Sequence, residues 1–167
     1  MQIRDTGLGF GIVTLSLHWL SAILLLTIVA VGLTMARMAP SPDKTALVTV
    51  HGSLGLVVFA LAAFRLFWRW RHYHPLPLGP VSPPAVIVGR SVAIGLLLAG
   101  VVMPVIGAIL ISARGENIAA FGFLALPPLV ASNRIIAQVA WFLHQAGAYV
   151  FIMGLGLHVY GALKHHF

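Results

Sequence analysis

Apolar residues gather into four long stretches of this chain, separated by short segments rich in proline, glycine and charge. The first, 12–36, carries no Asp, Glu, Lys or Arg. Its roughly 25 residues suffice to cross ~30 Å of hydrocarbon as a helix. Ser16, Ser21 and Thr27 are tolerable there because a helical hydroxyl bonds back to the carbonyl one turn earlier. The second, 46–68, has no acid and runs into Arg65, Arg69 and Arg71 interleaved with Trp68, Trp70 and Tyr73, an interfacial belt with cationic anchors. The third, 92–113, holds neither charge nor histidine, and its Pro104 and Gly107 predict a kink that neighbouring helices accommodate. The fourth, 135–163, forms the body of a helix predicted over Arg134–Lys164.

Residues 1–11 read as a polar, Gly-rich lead. Pro40 and Pro42 in the segment Arg37–Thr45 predict helix termination and a tight crossing. His74–Pro84 contains five prolines, which predicts an extended connector. After Arg114-Gly115-Glu116-Asn117, the apolar stretch Ile118–Val130 is about 13 residues long, too short to span, and is expected to lie on the interface or re-enter it. The pattern predicts an all-α membrane protein: a four-transmembrane-helix bundle formed as one domain over residues 1–167.

Composition agrees, at 60% hydrophobic and 8% charged, where soluble domains carry about 25% charged residues. Ten Lys and Arg against three acids give a net charge of +7. These bases sit at the ends of apolar runs, where they anchor to lipid headgroups and set topology, so no nucleic-acid partner is expected. With the N-terminus inside, Arg4, Arg65, Arg69, Arg71, Arg90 and Lys164 fall on the cytoplasmic side and Arg37, Lys44, Arg114 and Arg134 on the other. That narrow excess favours a multi-pass protein with both termini cytoplasmic. The absence of cysteine excludes disulfides, thiolate metal sites and covalent c-type haem.

The chemistry lies in the histidines. His144 and His158 are fourteen residues apart, almost four whole turns, so both leave one face of the last helix ~21 Å apart along its axis. Ionisable side chains inside an apolar span mark function by default. In an antiparallel bundle His18 and His158 share the cytoplasmic half, and His51 and His144 the outer half. Crossed pairs would stand ~20 Å apart in height. Zinc takes three or four ligands, and a proton relay would normally include a carboxylate. Two axial imidazoles per site suit haem iron, with Gly52, Gly55, Gly147, Gly154, Gly156 and Gly161 as candidates for close approach of a flat macrocycle. His72, His74, His165 and His166 read as interfacial.

The pieces Leu17-His18-Trp19, His51-Gly52-Ser53-Leu54-Gly55 leading to Arg65, Pro104 with Gly107, Arg114-Gly115, Phe121-Gly122, and His144 with His158 closing on Lys164-His165-His166 resemble the bacterial cytochrome b561 family. The likeness extends over nearly the whole chain. It departs where Arg90 and Ala93 stand in place of a histidine often found early in span three, and where the connector after Tyr73 lacks a lysine.

The resemblance implies a four-helix bundle in the bacterial inner membrane with two haem b groups, held by His18 with His158 on the cytoplasmic side and by His51 with His144 on the outer side. It implies oxidation of superoxide to oxygen at the outer face and reduction of ubiquinone. Arg37, Lys44, Arg114 and Arg134 are candidates to steer the anion, since positive potential raises encounter rates. His165 and Arg71 are candidates for the quinone site. The alternative is a haem-bearing anchor passing electrons from a partner dehydrogenase or hydrogenase subunit to quinone; the short loops favour a self-sufficient enzyme.

Overall fold

The computed structural model describes residues 2–3, 5–7, 9–72 and 82–164. Four helices dominate: α1 (Ile12–Arg37), α2 (Pro42–Arg71), α3 (Pro83–Ala113) and α4 (Arg134–Lys164). Each is long and apolar enough to cross a membrane, with mean hydropathy of 2.2, 2.1, 2.7 and 1.5 in chain order. The fold is an all-α membrane bundle. The ends holding the start of α1 and the end of α4 are called the terminal face below, and the opposite end the hairpin face.

Two boundaries differ from the sequence expectation, for one reason. Pro42 starts α2 rather than ending α1, and Pro83 and Pro84 open α3 nine residues earlier than Val92. Proline lacks only an N–H that the first helical turn leaves unpaired anyway, and its fixed φ suits that position. Ser41 completes the α2 start by accepting a 3.2 Å bond from the Lys44 amide. Residues 73–81, with Tyr73, His74 and most of the expected connector, lie outside the described residues. α3 runs unbroken past Pro104. It ends on Gly115 at φ +76°, where Gly115 and Glu116 amides return to Ser112 and Ile111 carbonyls in a Schellman stop.

The stretch expected to lie on or re-enter the interface folds as a hairpin of β1 (Ile118–Ala120) and β2 (Leu124–Leu126), in register Ile118 to Leu126. Thirteen apolar residues interrupted by Gly122 cannot close a spanning helix, and a two-stranded ladder pairs their backbone instead. Two helix serines hold the segment. Ser53 and Ser112 each donate to the carbonyl one turn back and accept a loop amide, from Phe121 at 2.8 Å and Leu129 at 3.0 Å. The bond at Phe121 holds a bulky residue at φ +56°, a conformation costly for a side chain of that size. Asn133 then caps α4, accepting from the Ile135 and Ile136 amides.

The N-terminal lead is tied down as well. Asp5 is buried and accepts from the Gly11 amide at 2.7 Å and the Thr14 hydroxyl at 2.9 Å. It ties the Gly11 amide and the Thr14 side chain together at the start of α1. Thr14 in turn accepts from the Trp68 indole at 3.1 Å, joining α1 to the end of α2.

Packing is serial. Close backbone approach joins α1 to α2, α2 to α3 and α3 to α4, while α4 scarcely approaches α1 or α2 among the described residues. Val58, Ala62 and Gly100 are buried where α2 meets α3. A slot is left between α4 and the α1–α2 pair, and the four membrane histidines face each other across it.

Candidate functional site

The ring centroids of His18 (α1) and His158 (α4) are 6.2 Å apart with planes at 55°, and those of His51 (α2) and His144 (α4) are 6.0 Å apart at 75°. The partners are therefore those that depth predicts, one pair toward each face, with α4 contributing to both. All four rings are half-buried. Among the described residues no cluster of three or more His, Cys, Asp or Glu forms, so each site brings together two imidazoles with no third such group among them.

This arrangement fits a metal held between two rings. At these spacings the rings neither stack nor hydrogen-bond to one another. A metal midway would be about 3 Å from each centroid, the sum of an imidazole–metal bond of about 2 Å and the ring's own half-width. The backbones carrying each pair stay apart, which leaves room for a flat macrocycle around that midpoint. The Nδ1 atoms of His51 and His144 are buried without a hydrogen-bond partner, a costly state for neutral structural histidines. Both orphaned atoms belong to the pair at the hairpin face.

The glycines divide unevenly around the slot. Gly52, Gly156 and Gly161 face open space, Gly55 and Gly154 make ordinary contacts with Ile28, Pro104 and Leu96, and Gly147 seats closely on Met103. The two glycines that lie against the His51 and His144 rings, Gly32 and Gly107, are ones the sequence reading did not assign to the histidines.

The expected cations separate into distinct roles. Lys44 donates to the Met38 carbonyl at 2.8 Å and is engaged in closing the α1–α2 loop. Arg37 is exposed in the last turn of α1. Arg114 and Arg134 come together on one groove of ≈ 560 Å³ with Gln138, Trp141 and Phe142 at the hairpin face. Arg71 lies over the Phe67 and Trp70 rings at 5.4 and 5.6 Å, as an interfacial anchor does. His165 lies outside the described residues. Arg65, read from sequence as part of the aromatic belt, instead comes near enough to His18 for their charges to interact. Its position inside α2, a turn before the belt's other arginines, is the signal that could have singled it out.

Residues 9–167 match the family described as prokaryotic cytochrome b561. The chain belongs to that family. Among its relatives, "Cytochrome b561 homolog 2" of Escherichia coli (strain K12) is 28% identical over 174 aligned positions, covering 100% of this chain and 89% of the relative. "Probable superoxide oxidase CybB" of Yersinia pestis is 28% identical over 163 positions, covering 95% and 89%. Membership of the cytochrome b561 family makes this a multi-pass membrane electron-transfer protein of the b-haem type.

Proposed function

We propose that this cytochrome b561 binds two haems b and conducts electrons across the bacterial inner membrane, oxidising superoxide to oxygen at the hairpin face and reducing ubiquinone. In this reading the hairpin face is outer and both termini are cytoplasmic. The observation that carries it is the pair of imidazole pairs, one toward each face, linked by a single helix. His51 with His144 would hold the outer group and His18 with His158 the inner one. When bound, two haems would supply one-electron relays, one toward each face, held by α4 histidines ~21 Å apart along the helix axis.

The chain's own part is recognition and positioning. Two superoxide anions each give up one electron and leave as oxygen; the two electrons and two protons from water convert one quinone to its quinol. Arg114 and Arg134, exposed around one groove at the hairpin face, raise the local concentration of a small anion there. The name of the Yersinia pestis relative is consistent with that substrate. His165 and Arg71 remain the candidates for the quinone end.

Superoxide-driven reduction of a ubiquinone analogue by the purified haem-loaded protein tests the reading. The expected result is a rate well above spontaneous dismutation and falling with ionic strength. Replacing Arg114 and Arg134 together with Gln should lower kcat/KM roughly 3- to 10-fold at low salt, part of the 10–10³ range of electrostatic steering, and flatten the salt dependence. A haem-loaded protein that reduces no quinone from superoxide would remove the substrate assignment.

Arg65 tunes the inner site. A cation near the iron favours its less positive, reduced state. Within about 10 Å, at an effective dielectric of ~20, a unit charge contributes on the order of 1–2 kcal/mol. Arg65→Gln should therefore lower the inner-haem midpoint potential by some tens of millivolts, on the scale where ~59 mV is a tenfold change for one electron. A redox titration in which the outer midpoint moves equally would contradict a local effect.

A further inference from the structure

The hairpin-face histidines are each backed by a helix that does not carry them. A Cβ on Gly32 of α1 would stand 3.1 Å from His51 Cε1 and 3.4 Å from its Nδ1. A Cβ on Gly107 of α3 would stand 3.4 Å from His144 Cε1 and 3.6 Å from its Nδ1. In both cases the same ring edge, Cε1–Nδ1, lies against the glycine.

The backbone repeats the pattern. The carbonyl facing His51 is that of Ile28 and the one facing His144 is that of Met103. Each belongs to the residue four before the glycine, directly below it on the helix surface. A side chain at that glycine would lean back over this carbonyl. Neither contact closes a hydrogen bond in the structure, since both Nδ1 atoms are buried without a partner. No glycine lies within 4 Å in this way of His18 or His158 among the described residues.

We propose that Gly32 and Gly107 are positioning residues for the outer haem: the missing side chains let His51 and His144 seat their Cε1–Nδ1 edges on α1 and α3. This rests on the dihaem reading above. With that edge against the protein, Nε2, the next atom round the ring from Cε1, lies beyond 4 Å of either glycine position and is left free for the slot. Each Nδ1–H faces a backbone carbonyl that a small ring shift would engage, fixing tautomer and ring plane as outer partners of metal-bound histidine do. The two buttresses come from different helices, and they hold the rings at 75° to one another. Crossed imidazole planes on low-spin ferric haem give a highly anisotropic electron paramagnetic resonance signal with a large maximum g value, whereas parallel planes give a rhombic one.

The test is that spectrum, with haem content, for purified wild type, Gly32→Ala, Gly107→Ala and, as a control, Gly95→Ala, where a Cβ meets nothing within 4 Å. The outer haem is identified as the signal missing in His144→Ala. In Gly32→Ala and Gly107→Ala the outer signal should shift its maximum g value, and outer-haem retention should fall roughly 10-fold, the lower end of the effect of losing an outer partner. The inner signal on the same chain reports the fold and should stay unchanged, as should both signals in Gly95→Ala. Unchanged outer signals, or inner and outer signals altered alike, would overturn the positioning role. A wild type without two haems would instead overturn the reading beneath it.

Discussion

Purified in detergent, the wild-type protein is expected to carry about two low-spin b haems per chain, and His144→Ala and His158→Ala each to lose one, a different one in each variant. The grounds are geometric. α4 is the one helix that reaches both sites, and its two histidines lie on one face ~21 Å apart. Removing either imidazole leaves its partner, 6.0 or 6.2 Å away across the slot, with no other His, Cys, Asp or Glu to complete a cluster among the described residues. His51→Ala should therefore match His144→Ala, and His18→Ala should match His158→Ala. The measurement is a dithionite-minus-oxidised spectrum with haem counted per chain. Variants that lose both haems in parallel would deny two independent sites. A wild type still colourless after haem reconstitution would return all four histidines to structural hydrogen bonding.

The helices and the histidine partners could be read before any coordinates because each rests on a strong periodic signal. Apolar runs of spanning length leave the backbone no alternative to helix, and the fourteen-residue spacing of His144 and His158 fixes their common face whatever the helix ends do. The ends themselves were less readable. Pro42 and Pro83 carry the same chemistry whether they stop one helix or start the next, and only the preceding Ser41 and Ser82 hint at a start. The hairpin escaped because its turn puts Phe121, not only Gly122, at positive φ, and the Ser53 hydroxyl that holds it lies 68 residues away in sequence. Gly107, paired in the reading with Pro104 as a kink, also lies against His144. Gly32 has no local mark at all; its partner is on the next helix. Contacts between helices are set by rotation about the helix axis, and residue spacing within one helix constrains that rotation only for the helix itself.

The second large effect concerns the path rather than the pigment. In His18→Ala or His158→Ala, superoxide-driven quinone reduction is expected to fall to the uncatalysed background while the outer haem remains bound and still changes its spectrum when superoxide is added. The outer site keeps its own ligands, its glycine-lined seats and the Arg114–Arg134 groove, so the oxidation of the anion at that face loses nothing it touches. What is lost is the discharge of each electron toward the opposite face, where the remaining histidine cannot hold its group alone. His51→Ala and His144→Ala should give the reverse: no rapid response to superoxide, but an inner haem that quinol still reduces. Rapid mixing with superoxide, followed at the outer-haem wavelength and by quinol yield, separates the two. Normal quinol formation in His158→Ala would mean that quinone meets the outer site directly. That outcome would move the acceptor to the hairpin face and turn the inner pair into a branch rather than a link. The asymmetry between the pairs is what makes the experiment decisive, because an electron that enters at one end and is stranded there reveals the direction of the path.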